Sequence, residues 1–119
     1  MSMWDVEGTD QFAEWFSGLT DGEREHVTTA IVQLQEKGPT LSRPFADSIK
    51  GSRHANMKEL RPRGGNMRIL FAFDPRRAAI LLIGGDKTHR WQKWYEAMIP
   101  AADDLYDEYL EELRKEGLL

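Results

Sequence analysis

Cysteine is absent from this chain, which removes disulfides, thiol nucleophiles and thiolate-bound metals together. Histidine is scarce. His26, His54 and His89 are scattered, with no His-x-x-x-His or paired-carboxylate spacing beside them, so no catalytic metal or other cofactor is expected. Long apolar runs are missing too. The longest, Ala78 to Ile83, falls far short of a bilayer span, and no membrane partner is expected. Met1 to Glu7 has neither the basic start nor the apolar stretch of a secretory signal. A protein of the reducing cytoplasm is the expectation. Serine-triad hydrolysis and Walker-type phosphate binding also lack their motifs, since no serine stands in a nucleophile elbow and no Gly-Lys-Ser/Thr follows a strand.

What is present suits one domain over residues 1–119, with 40% hydrophobic residues for a single core. The net charge of −4 is unevenly spread. Residues 1–42 hold two basic and eight acidic side chains, −6; residues 43–90 hold eleven and four, +7; residues 91–119 hold three and eight, −5. A basic middle between acidic ends is either the footprint of an anionic partner or a solvated surface of uneven composition.

The hydrophobic periodicity predicts an α+β fold of order β-α-α-β-β-β-α. Trp4-Asp5-Val6 is a short first strand. Thr9 or Asp10 caps a helix with Phe12, Trp15, Phe16 and Leu19 on one stripe. Thr20-Asp21-Gly22-Glu23 reads as a capping box for a second helix, carrying Val27, Ala30, Ile31 and Leu34 and stopping near Gly38-Pro39. This helix hairpin needs a surface to cover. Met57–Arg61, Met67–Phe73 and Ala78–Ile83 supply it as a small, mainly antiparallel sheet, with Gly84-Gly85 ending the last strand. A C-terminal helix begins near Trp91, is kinked or restarted at Pro100, and carries an acidic outer face.

The remaining candidates for chemistry are cations on strands and turns. Arg61 ends one strand, Arg68 interrupts the next, and Lys87, His89 and Arg90 follow the third. Strands lie about 5 Å apart, so these side chains can converge on one phosphate. Arg68 is the most informative, because a charge within an apolar strand costs free energy unless it meets a partner or a wet concave face. Its alternative role is an internal ion pair with Glu59 or an acid of the last helix. His89 suits proton transfer near neutral pH, or is simply a surface histidine. Tyr95 stacks on a base, supports proton transfer, or serves the core.

Lys58-Glu59-Leu60-Arg61, a short turn, Met67-Arg68-Ile69-Leu70-Phe71, an apolar strand, then Gly85-Asp86-Lys87-Thr88 and a helix with Tyr95-Glu96-Ala97 resembles the RelE/HigB toxins, nearest their phage-derived HigB-like branch. The resemblance implies a metal-independent endoribonuclease that cuts mRNA in the ribosomal A site, neutralised by an antitoxin of helix-turn-helix type. It implies catalytic roles for Arg68, Lys87, His89, Arg61 and Tyr95, and RNA contacts for Lys58, Arg63 and Arg90. Relatives of the RelE type carry lysines where this chain has Met57 and Glu59. The alternative is a non-catalytic module that binds nucleic acid or protein.

Overall fold

The computed structural model describes residues 3–88 and 91–119. Strand β1 (Val6–Gly8) leads into helix α1 (Asp10–Ser17) and helix α2 (Asp21–Lys37). Strands β2 (Ala46–Ser48), β3 (Met57–Leu60), β4 (Met67–Phe73) and β5 (Ala79–Asp86) follow, and helix α3 (Trp91–Lys115) closes the chain. The sheet runs in the order β1-β5-β4-β3-β2. Only β1 pairs in parallel, with β5; the other neighbours are antiparallel.

Both ends of the helix hairpin are fixed by short-range chemistry. Thr9 accepts from the Phe12 amide at 3.1 Å and donates to the Leu82 carbonyl at 2.6 Å, so the α1 cap is also a clasp onto β5. The capping box of α2 is present: Thr20 accepts from the Glu23 amide at 3.2 Å, and Glu23 from the Thr20 amide at 2.9 Å. Gly38 ends α2 with φ +55°, where a side chain would also strike the Trp4 indole at 2.4 Å.

The sheet is buried on both faces. Phe12, Val27, Ala30 and Leu34 pack on Leu60, Ile69, Phe71 and Leu81 on one side. On the other, Ile99, Ala102 and Tyr106 of α3 pack on Met57, Leu70, Ala72, Ile80 and Leu82. This explains why β4 and β5 read as nearly unbroken apolar runs rather than strict alternation.

Four expectations change in detail. The predicted order gains a strand, because β2 forms an edge where the sequence suggested only loop; three residues are too few for a periodic signal. The first strand lies two residues further along than Trp4–Val6. Helix α3 runs on through Pro100, so of the two alternatives the restart does not occur. Gly84 and Gly85 lie inside β5 rather than terminating it. A Cβ on Gly84 would sit 2.3 Å from the Trp15 ring, and one on Gly85 2.3 Å from Trp94 Nε1, so each glycine makes room for an indole on its own face.

Helix α3 is also tied to the loop before β3. Buried Asp103 accepts from Ser52 Oγ at 2.5 Å and from the Arg53 amide at 3.1 Å, so it leaves the acidic outer face. Arg53 pairs in addition with Asp104 and Asp107. No helix among the described residues is long and apolar enough to cross a membrane.

Candidate active site

On β3 the side chains of Met57 and Glu59 share one face by strand alternation, and Met57 packs in the α3-side core; Arg61 follows just past the strand's end and reaches back to Glu59. On β4 the same parity places Arg68 with Leu70 and Ala72. Strand β5 needs a correction of register to join them. Leu70 pairs with Ile83 but Phe71 pairs with Leu81, leaving Leu82 as an extra residue. Leu82 and Ile83 consequently both pack on the α3 side. Beyond this bulge the alternation is reversed: Gly85 pairs with Arg68 and faces Trp94 of α3. The bulge thus turns the end of β5, and Lys87 just after it, toward Arg68. The Lys87 amide donates to the Asn66 carbonyl at 3.1 Å, holding this end against the start of β4.

Glu59 is the hub of the site. It is only 2% exposed, and a carboxylate so deep requires partners. Arg61 donates from Nε to Glu59 Oε2 at 2.7 Å, and Tyr95 donates its phenolic hydrogen to Oε1. Arg68 Nε lies 3.9 Å from the same Oε1, within ion-pair range but beyond a hydrogen bond. Arg61 Nη2 also reaches Asp47 Oδ2 on β2 at 3.3 Å, and Arg43 pairs with that carboxylate at 2.7 Å. Arg68 donates from Nη1 to its neighbour's Met67 carbonyl at 2.8 Å. Its buried Nε has no hydrogen-bond partner among the described residues. Such an orphan donor costs roughly 1–3 kcal/mol.

The electrostatics follow from this crowding. Burial, and then repulsion from Arg68, holds the Lys87 ammonium below the ordinary lysine range; Glu59 pulls it back up, and Arg61 adds to the depression. Burial, and then the bond to Glu59, pushes the Tyr95 phenol up to about 12. Burial acts to lower the Arg61 value, but Glu59 and Asp47 outweigh it and hold Arg61 above the usual arginine range. Asp47 is kept below the usual carboxylate range, chiefly by its bond from Arg43. Four cations (Arg43, Arg61, Arg68 and Lys87) therefore gather around two carboxylates.

Beside Glu59 opens a groove of about 240 Å³ walled by Ser48, Ile49, Lys50, Tyr95 and Ile99. Arg61, Arg68, Lys87 and Tyr95 thus come together. Lys58 does not: it points to the opposite face, with Nζ 3.4 Å from the Pro39 carbonyl, beside a cavity of about 480 Å³. Arg63 is exposed in the turn between β3 and β4. His89 and Arg90 lie outside the described residues. Sequence reasoning treated Glu59 only as a counter-ion for Arg68 and left Asp47 in a loop. The Glu59-x-Arg61 spacing, which puts both side chains on one face of a strand, was the available signal.

The family described as phage-derived protein Gp49-like matches residues 14–107. The candidate toxin HigB3 of Mycobacterium tuberculosis is 50% identical over 100 residues, covering 84% of this chain and 88% of HigB3. The candidate toxin HigB2 of the same organism is 47% identical over 104 residues, or 85% of this chain, which spans about half (52%) of HigB2's length. A double mutant of the Escherichia coli toxin RelE, solved with a peptide of the antitoxin RelBc, aligns with a TM-score of 0.60 at 11% identity, covering 83% of this chain and 96% of RelE. That likeness establishes the fold. On these matches the chain belongs to the phage-derived Gp49-like family of HigB-type toxins, built on the RelE fold.

Proposed function

We propose that this protein is the toxin of a toxin–antitoxin pair and acts in the cytoplasm as a metal-independent endoribonuclease on mRNA in the ribosomal A site. The observation that carries the reading is the gathering of Arg61, Arg68, Lys87 and Tyr95 around one carboxylate, with a lysine depressed first by burial and then by repulsion from Arg68. An arriving phosphate relieves that repulsion and supplies the acceptor that Arg68 Nε lacks.

The chemistry proceeds from the RNA's own 2′-hydroxyl. Its oxygen bonds to the adjacent phosphorus, the bond from phosphorus to the 5′-oxygen breaks, and a 2′,3′-cyclic phosphate and a free 5′-hydroxyl result. Arg68 and Arg61 stabilise charge on the phosphoryl oxygens. Lys87, more acidic than an ordinary lysine, donates the proton taken up by the departing 5′-oxygen. His89, two residues beyond Lys87 in the chain, takes the 2′ proton, because imidazole is the side chain suited to proton transfer near neutrality. Tyr95 stays protonated and orients Glu59, which in turn aims Arg61. Arg63 and Arg90 hold flanking phosphates. Lys58, on the far face, serves a phosphate only where the RNA wraps around the β2 edge.

A helix-turn-helix antitoxin is the expected partner, covering the basic face. Induced expression followed by mapping of new RNA 5′ ends, with translation running and with it blocked, tests the proposal. Translation-dependent cuts that vanish in Arg68→Ala support it; unchanged RNA in cells arrested by the wild type sinks it. A second reading, a non-catalytic RNA- or protein-binding module, is favoured by the tethering of Arg61 to both Glu59 and Asp47. For a nuclease, Arg68→Ala and His89→Ala abolish cleavage while ribosome association persists; for a binder, association itself is lost.

A further inference from the structure

Trp91 opens α3 and is 61% exposed, and no other Trp, Tyr or Phe among the described residues is exposed. Folding normally removes an indole from water, since it is among the largest apolar surfaces a chain owns. Here the ring stands at the rim of the cationic site. Lys87 Nζ lies 5.3 Å from its centroid, within cation–π range. Tyr95, one helical turn on, meets it edge to face at 6.3 Å and 86°. Tyr95 in turn contacts Glu59, and Lys87 feels Arg68 and Arg61. An uninterrupted series therefore runs from the buried carboxylate through Tyr95 to a ring facing solvent, with an ammonium alongside. An exposed aromatic beside clustered cations fits a nucleic acid, whose phosphate meets the charges while its base meets the ring.

We infer that Trp91 is the stacking platform for the base of a single-stranded nucleotide flanking the scissile phosphate, with Lys87 bridging ring and phosphate. The inference rests on the RNA-cleavage reading above. It limits the substrate to unpaired RNA at this position, because a base held in a duplex stack cannot reach the ring.

The test uses the full chain and short unstructured RNAs in which one position at a time is abasic. Wild-type protein should show one position where base removal weakens binding about tenfold. Trp91→Ala should weaken the intact RNA by about as much and lose sensitivity at that position, while Trp91→Phe keeps most of it. Thermal melting should be unchanged, as expected for a side chain with so little packing. A Trp91→Ala protein that retains the abasic-sensitive position overturns the platform. So does one with unaltered RNA binding that no longer retains its antitoxin, which assigns the ring to a protein contact. Wild-type protein that neither binds these RNAs nor cuts mRNA on translating ribosomes removes the cleavage reading along with it, whereas ribosome-dependent cleavage by the wild type that Trp91→Ala matches removes the platform alone.

Discussion

Tyr95 on α3 and Glu59 on β3 are joined by a hydrogen bond from phenol to carboxylate across 36 positions of sequence. It is the polar fastener between the last helix and the sheet at the candidate site. A hydrogen bond to a charged acceptor contributes about 1.5–3 kcal/mol, so Tyr95→Phe should lower stability by roughly that amount in urea unfolding.

The same pair sets an alkaline pH dependence. Tyr95 is pushed up to about 12, above its value of about 10 in an unfolded chain. A raised pKa means that the contact's stabilisation is fully present below pH 10 and is lost as pH climbs toward 12. Tyr109 is displaced in the same direction, so the comparison must isolate one phenol. Unfolding free energies of wild type and Tyr95→Phe should converge over that window, and a difference that stays constant to pH 12 would refute the assignment.

Glu59→Ala should cost about 3 kcal/mol or more, because it leaves Arg68 and Arg61 partly buried without their shared counter-charge. Chemical denaturation checks this. Glu59→Gln, which preserves shape, should recover part of the stability but little of the RNA cleavage.

Arg68→Ala should reduce cleavage about 10²- to 10³-fold, the usual loss for one transition-state donor. It should cost the fold less than Glu59→Ala does, since Arg61 and Tyr95 still hold Glu59 and one of the lost donors was already unsatisfied. Single-turnover cleavage on programmed ribosomes, read beside a melting curve, separates the two effects.

Gly84→Ala should destabilise by about 1–3 kcal/mol, as overpacking does when a rigid ring must move. Guanidinium denaturation gives the number. A neutral result would mean that Trp15 repacks freely.

Much of this architecture was legible in the sequence where local chemistry decides. Thr20 and Glu23 announced their cap, and the alternation of Met67 to Phe73 separated Arg68 from its apolar neighbours correctly. Features that depend on contacts distant in the chain were not legible. The β5 bulge is invisible in a run of Ile and Leu, yet it decides which face Lys87 meets. Gly84 and Gly85 looked like punctuation because the indoles they accommodate come from α1 and α3. Asp47 gave no sign of joining the site, because its strand exists only by pairing with β3.

The two-sided burial of the sheet has a practical consequence. Arg61, Arg68 and Lys87 gather around Glu59 on the α3 side, whereas α1 and α2 pack into a separate apolar compartment behind it. The hairpin's outer surface is therefore separated from the candidate site by a full layer of backbone. Fluorophores, affinity handles or solubilising charges placed there should travel with the toxin as silent passengers.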